Sequence, residues 1–435
     1  MRQVEARCRF MLPALVALGL VAAACQPGGA ATSTPPPTNG AAARQAANAS
    51  GAPAATAAPT QPSGAGPAAS RGTLKLGMLL AMTGSGSFYG QVMSRGAQVA
   101  VDQTNREGGA SGYQLQLVIE DHKSGDADAG VSGARKLMDI DGVPVILTSF
   151  SAPTLAIHPL AMEKKVLLLN GGGVGAALVG KRGLYNTRML STQLVPFVVQ
   201  WATQELKASR LATIFWNDAA GQGINASIKD TCGKLACQVV VEEPHDIGAK
   251  NYSAQLARIK AARPDALIVG SFGDDVGYIV NQARAQGMDN PILGVEWTPN
   301  AQKIGGRAME GYVAVIDRFE PTGGDATTKA FVDAYRTAYG ETPEFYAANY
   351  YELVRLVLRP LIQRVVERGD DPTRQGPLLE EMEKAIAEGS RFQSVYGGEM
   401  QLAKDGTVTK PAGLYRVQSD ELALVARIVG GTIQR

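Results

Sequence analysis

Residues 74–101, LKLGMLLAMTGSGSFYGQVMSRGAQVAV, decide the fold class. The opening LKLGMLL is an apolar, strand-like run. Residues 83–90, TGSGSFYG, then place glycines, hydroxyls and two aromatics where a turn is needed. From Gly90 to Arg106 the apolar side chains Val92, Ala97, Val99, Ala100 and Val101 fall at helical spacing. The alternation continues down the chain. Residues 113–119 (YQLQLVI), 143–147 and 166–169 read as strands, with helices over 127–138 and 156–164. Further strands fall at 211–216, 239–241, 266–269 and 292–295, separated by helices around 195–206, 224–235, 254–262 and 276–286. Strands alternating with helices of about 10–15 residues predict parallel α/β sheets.

There are too many such units for one sheet, so two α/β lobes are expected, with lobe changes near 187–192 and 311–317. Residues 326–388 read as mostly helical, including a long run over 345–368. Short strand-like pieces at 391–396, 414–417 and 422–428 have an edge of either sheet to pair with. No internal repeat is legible.

The chain has 435 residues, 45% of them hydrophobic, and a net charge of +2. That excess comes from the N-terminus: Arg2, Arg7, Arg9 and Arg44 face only Glu5 before residue 71, leaving 38 basic against 39 acidic residues beyond. Without a basic block, nucleic acid is not an expected partner. Three histidines and four cysteines give little material for a transition-metal site, and none is expected.

Residues 1–24 combine three arginines with an apolar run from Phe10 to Ala24, too short to span a bilayer comfortably. Ala22-Ala23-Ala24-Cys25 resembles the lipobox of bacterial lipoproteins, with Ala22 where Leu is preferred. That resemblance implies a signal peptide over 1–24, lipidation of Cys25, and an exported chain held to a membrane. Of residues 26–70, 39 are Ala, Pro, Gly, Ser or Thr, and none is Val, Ile, Leu, aromatic or acidic. Such a segment buries too little to fold and reads as a tether, so 25–70 is assigned as lipidated cysteine plus linker. In an oxidising compartment Cys232 and Cys237 suit a local disulfide, with two free thiols as the alternative.

No catalytic machinery is legible, and an enzyme is not expected. No Ser has glycines two residues away on both sides, and HExxH and GxxxxGK[ST] are absent. Gly171-Gly172-Gly173-Val174-Gly175-Ala176 matches G-x-G-x-x-A after a strand, but Arg188 to Gln193 lacks the acid that would bind a ribose. No cofactor is called for. The neighbouring carboxylates Glu120-Asp121, Glu242-Glu243 and Asp274-Asp275 point in different directions and read as solvated charges.

Binding features are stronger. Ser151-Ala152-Pro153-Thr154 follows a strand, with Ser suited to a helix cap and Pro to its first turn. Unpaired backbone N–H groups at such a helix start suit a carboxylate, though simple capping explains the residues as well. Glu296-Trp297 ends another strand with an acid beside an indole, which suits an ammonium group on an apolar body or else a surface charge.

In their order and spacing, these stretches resemble the extracellular solute-binding proteins of ABC importers, of the leucine/isoleucine/valine-binding type. The resemblance spans 71–435. It is carried by LKLGMLLAMTGSGSFYG, GAQVAVDQTNREGGASGYQLQLVIED, SFSAPT and KVLLLNGGG, then by LATIFWNDAAGQG, DALIVGSFGDD, QARAQGM and ILGVEW. It implies two doubly wound α/β lobes joined by a three-segment hinge, the type I periplasmic-binding-protein fold. Lobe 1 is assigned to 71–190 and 314–412, lobe 2 to 191–313 and 413–435. By the same resemblance Ser151, with the backbone near Ala152, holds a ligand carboxylate. The carbonyl of Gly172 faces its ammonium, Glu296 pairs with that ammonium, and Tyr89 and Phe272 line the cleft. Two positions depart from amino-acid binders: Val174 replaces a Thr or Ser, and Ala220 replaces a Tyr, leaving room that Trp297 lines.

The resemblance implies a monomer that closes on an apolar or branched-chain amino acid and delivers it to permease subunits in the membrane. An amide, urea or aromatic acid as ligand is the alternative. A sensor role is less expected, since the chain ends at Arg435 without an output domain.

Overall fold

The computed structural model describes residues 70–435. The expected signal peptide, the lipidation site Cys25 and the linker up to residue 69 lie outside the described residues.

The first lobe is built from β1 (Gly72–Leu80), α1 (Ser87–Arg106), β2 (Tyr113–Asp121), α2 (Ala127–Arg135), β3 (Val145–Thr148), α3 (Ser151–Glu163), β4 (Leu167–Asn170) and β5 (Leu184–Asn186). Its five strands are all parallel, in the order β2-β1-β3-β4-β5. The second lobe begins with α4 (Ser191–Gln200), β6 (Arg210–Trp216), α5 (Ala219–Lys234), β7 (Gln238–His245) and α6 (Ser253–Ala261). It continues through β8 (Ala266–Gly270), α7 (Asp274–Ala285), β9 (Ile292–Gly294), α8 (Pro299–Gly305) and β10 (Val313–Asp317). The central strands β3, β4, β8 and β10 are buried at every residue, because helices cover both sheet faces.

The chain then returns to the first lobe as α9 (Ala326–Tyr339), α10 (Phe345–Glu352), α11 (Arg359–Glu367), α12 (Pro377–Ala387) and a short ladder of β11 (Arg391–Gln393) with β12 (Glu399–Gln401). A π-helical stretch, Leu353–Leu358, joins α10 to α11, so the long run over 345–368 is one helical rod. The chain ends with β13 (Ala412–Gln418), β14 (Glu421–Val429) and β15 (Thr432–Gln434). The second sheet runs β15-β14-β13-β10-β9-β8-β6-β7.

Three expectations need correction. The boundary assigned at 313/314 falls inside β10, which pairs with β9 and β13 through Asp317, so the lobe change follows that residue. The late strands do not divide between the two sheets: β13 to β15 all extend the second, while β11 pairs only with β12. And there is an internal repeat. The order β7-β6-β8-β9-β10 in the second lobe copies β2-β1-β3-β4-β5 in the first. Tyr89-Gly90-Gln91 in α1 and Ala220-Gly221-Gln222 in α5 occupy equivalent first turns. A methyl on Gly90 would overlap the carbonyl of Ala81, and one on Gly221 the carbonyl of Trp216, so each helix start lies hard against its strand end.

The chain crosses between lobes at 187–190, 318–325 and 402–411. Cys232 and Cys237 are joined by a disulfide between the end of α5 and the turn before β7.

Candidate functional site

In doubly wound sheets, ligands bind beyond the carboxyl ends of the strands where the strand order reverses. Both lobes bring that point to one pocket. Tyr89, Met93, Phe150, Ser151, Gly172, Gly173 and Val174 come from the first pass through lobe 1, and Tyr346 from α10. Trp216, Asp218, Ala220 and Phe272 close it from lobe 2.

The polar end is the start of α3. Phe150 precedes the helix at φ +55°, a conformation uncommon for a bulky side chain, and it turns its ring into the pocket. The first N–H groups of a helix have no acceptor within it, and α3 has no acidic residue in its first turn. Ser151 Oγ accepts the N–H of Gly175 at 2.9 Å. Asn170 holds the glycine turn opposite, accepting Gly173 N–H at 2.7 Å and donating to its carbonyl at 2.8 Å. A Cβ on Gly173 would sit 3.1 Å from Phe150 and 3.2 Å from Ser151 N, so the glycines let this turn press against the helix start. That is the close-approach role of a glycine run, and it leaves the G-x-G-x-x-A match without a dinucleotide role.

The apolar end is a set of rings. Phe150 stacks on Trp216 with centroids 5.8 Å apart, and Trp216 meets Phe272 at 5.0 Å. Tyr89 touches Phe150 at 5.9 Å and Tyr346 at 4.9 Å. Trp216 is fixed by its indole N–H, which donates to Asp275 at 2.7 Å.

A matched pair of buried histidines backs the two phenyl groups. His122 Nε2 lies 2.9 Å from Ser149 Oγ, just before Phe150. His245 Nε2 lies 2.7 Å from Ser271 Oγ, just before Phe272. Burial pushes His122 down to about 4 and lowers His245 as well.

Glu296 is fully buried but does not line the pocket. The Tyr346 hydroxyl donates to its Oε2 at 2.6 Å, and Arg188 stands 3.6 Å away. Arg188 Nη1 also donates to the carbonyl of Gly172 at 3.1 Å. So both acceptors assigned to a ligand ammonium already face the protein's own guanidinium. Around them Asp317 lies 3.5 Å from Arg188, and Lys410 pairs with Glu352. Arg188, Asp317 and Lys410 sit in or beside the three crossings. Three buried carboxyls face two buried cations here. Burial pushes Glu296 up to about 7 against the pull of Arg188 and the Tyr346 hydroxyl.

Of the residues expected at the site, Tyr89, Ser151, Gly172, Val174, Ala220 and Phe272 surround the pocket. Ala152 lies in the first turn of α3 without lining it. Trp297 is corrected: it lines a separate groove with Thr298 and Phe345, and its indole donates to Gln302 at 3.3 Å. Sequence reasoning missed Phe150, Trp216, Asp218, Tyr346 and Arg188. Phe150 and Trp216 were in view as a strand-to-helix junction and a strand end. Tyr346 is one of several aromatics in a long helical run, and nothing local singles it out.

The sequence profile of the periplasmic binding protein family matches residues 73–421. The chain belongs to that family. Its members are solute-binding proteins of the ABC-transporter type, exported from the cytoplasm. Among the curated members, the leucine-, isoleucine-, valine-, threonine- and alanine-binding protein of Pseudomonas aeruginosa is 25% identical over 66% of this chain and 77% of its own length. A leucine-binding protein from Thermotoga maritima shares the fold at a TM-score of 0.72 and 22% identity, over 82% of this chain and 98% of its own. A solute-binding protein from R. palustris, solved with benzoate, does so at 0.71 and 18%, over 82% and 96%. Among the described residues, no group of His, Cys, Asp and Glu is placed to hold a metal, and no helix is long and apolar enough to cross a membrane.

Proposed function

We propose that this protein captures a small carboxylic acid with a flat apolar body, an aromatic acid above all, and hands it to an ABC importer permease. A lipid on Cys25 would keep it at the membrane. The observation that carries this reading is the asymmetry of the pocket's polar groups. The helix start at Ser151 is open to a carboxylate, while Glu296, the acid suited to an ammonium, is engaged by Tyr346 and Arg188. Five aromatic rings around the remaining space suit a ring better than a branched alkyl chain. The benzoate-bound relative has the same fold. In this reading the acid docks on lobe 1 and the rings of lobe 2 close over it. Closure is favoured only by the ligand's differential affinity for the closed state.

An apolar α-amino acid is the second reading. It is favoured by the branched-chain amino-acid binders among the relatives and by Glu296 Oε1, which has no hydrogen-bond partner.

Calorimetry on protein unfolded and refolded to strip carried-over ligand separates the two. Benzoate and 3-phenylpropanoate should bind at micromolar concentration, about −8 kcal/mol. L-Phenylalanine, which differs from 3-phenylpropanoate only by its ammonium group, should bind at least tenfold more weakly. Tighter binding of phenylalanine or leucine would overturn the acid in favour of the amino acid.

A further inference from the structure

We propose that Tyr346 sets the ligand class, by holding the Glu296 carboxylate out of the pocket. The inference deepens the functional reading above and rests on it.

Tyr346 reaches the pocket from the first turn of α10, far along the chain from the strand ends that build the rest of the site. Its ring is held on two sides: the Arg188 guanidinium lies 4.6 Å from its centroid, and the Tyr89 ring packs against it at 4.9 Å. Its hydroxyl accepts from Arg188 Nη1 and donates to Glu296 Oε2 at 2.6 Å. The hydroxyl therefore stands between the buried cation and the buried acid, and satisfies both without a ligand. The ring is pocket wall, and the carboxylate is bonded at its hydroxyl end.

Without that ring, the wall would present Glu296, whose Oε1 is unpartnered, while the Gly172 carbonyl keeps its bond from Arg188. An unpartnered carboxylate oxygen at the edge of an apolar pocket makes a seat for an ammonium group. An acid that lacks an amine gains nothing from it and meets a like charge. One side chain thus separates a pocket for plain acids from one for amino acids.

The test is the ratio of dissociation constants for 3-phenylpropanoate and L-phenylalanine, measured in wild type, Tyr346→Val and Tyr346→Val with Glu296→Gln. Wild type should favour the plain acid by tenfold or more. Tyr346→Val should move the ratio at least tenfold toward phenylalanine, and the added Glu296→Gln should reverse that move. Tyr346→Phe, which keeps the wall and loses only the hydroxyl, should shift it by less than about threefold. Thermal melting without ligand checks that each variant folds, and Tyr346→Leu stands in for Tyr346→Val if the latter does not. A wild type that favours the plain acid, combined with a ratio unmoved in the Val or Leu variant, would overturn the role of Tyr346 alone. A wild type that favours phenylalanine would overturn the functional reading, and this inference with it.

Discussion

The two lobes bring the same parts to the pocket and finish them in opposite ways. Each offers a histidine at a strand end, a serine to meet it, and a phenylalanine that follows the serine into the cleft. Each then starts a helix after a residue at positive φ, Phe150 in lobe 1 and Gly273 in lobe 2. Beyond that point they diverge. α3 begins with no acid in its first turn, whereas α7 opens with Asp274 and Asp275. Asp275 takes the N–H of Trp216 and of Gly248, so it serves the protein's own donors. α5 is capped by Asp218, which accepts Gly221 N–H at 2.8 Å, while α1 has no side-chain cap. A helix N-terminus attracts an anion, and lobe 2 has supplied its own. The duplicated scaffold thus has one half whose helix start carries no acid of its own and one half that supplies its own, and the proposed carboxylate site lies on the first.

The strongest way to break this contrast is to give lobe 1 the charge that lobe 2 carries. Ser151→Asp places a carboxylate at the start of α3, where the proposed reading docks the ligand's own carboxylate. Affinity for benzoate should fall by more than 100-fold, about 3 kcal/mol, through occupation of the site and like-charge repulsion. Calorimetry reads this directly. An unchanged dissociation constant would remove the α3 start from the ligand site.

Only the lobe 1 half of this contrast was legible in the sequence: Asp274-Asp275 reads there as solvated charge, whereas Asp275 is buried and accepts from Trp216 and Gly248. The position of the helix start could be read from Ser151-Ala152-Pro153, but not its cap: Phe150 holds the cap position, no side chain caps α3, and Ser151 Oγ turns instead to the N–H of Gly175. The α/β architecture could be read because strand and helix periodicities are local too. The internal repeat could not: Tyr89-Gly90-Gln91 against Ala220-Gly221-Gln222 is a weak echo until strand order shows that the turns are equivalent. The surroundings of Glu296 were hidden for the same kind of reason. Its neighbour Trp297 suggested a shared pocket, yet the indole turns to another groove. What occupies Glu296 instead comes from α10 and from a lobe crossing, Tyr346 and Arg188, separated from it by 50 and 108 positions in the chain. Long-range partners of a buried charge leave no local signature.

The histidine pair offers a finer probe. His122 Nδ1 faces the N–H of Gly125 at 3.0 Å, so it is an acceptor, and the ring proton sits on Nε2 toward Ser149. His245 Nδ1 faces the carbonyl of Asp246 at 2.9 Å, so it carries the proton, and Nε2 accepts from Ser271. The two rings are opposite tautomers. A second proton on His122 would point at a donor, whereas on His245 the Ser271 hydroxyl has only to turn, with Asp275 near to balance the charge. His122 lies at about 4 when folded and at the ordinary value of 6.5 when unfolded. The unfolded chain takes the proton first, so stability is lost as the pH falls from 6.5 toward 4, by up to about 3 kcal/mol. Glu296, raised to about 7, contributes with the opposite sign, in the same way in wild type and variant. Denaturant melts at pH 7 and 4.5 should therefore show a shallower acid loss in His122→Gln than in wild type. His245→Gln should change it less. Equal slopes for the two variants would mean that the tautomers do not distinguish the lobes.

The smallest expected effect asks what the self-capping of lobe 2 does to the ligand. Asp218 lines the pocket as well as capping α5, and burial raises its carboxyl above the usual range. Asn caps a helix as well as Asp does, so Asp218→Asn should leave stability within about 0.5 kcal/mol. It removes a negative charge from a pocket that, in the reading above, receives a carboxylate. Affinity for benzoate should then rise about threefold or more, roughly 1 kcal/mol at the surface-screened end of such interactions. The sign carries the information. Tighter binding means that lobe 2's acid opposes the ligand's charge, and that closure occurs despite it because the rings gain more than the charges lose. Weaker binding of phenylalanine in the same variant, with benzoate unchanged, would make Asp218 the partner of an ammonium group. The pocket would then be an amino-acid site whose cation seat had moved from Glu296 to the start of α5.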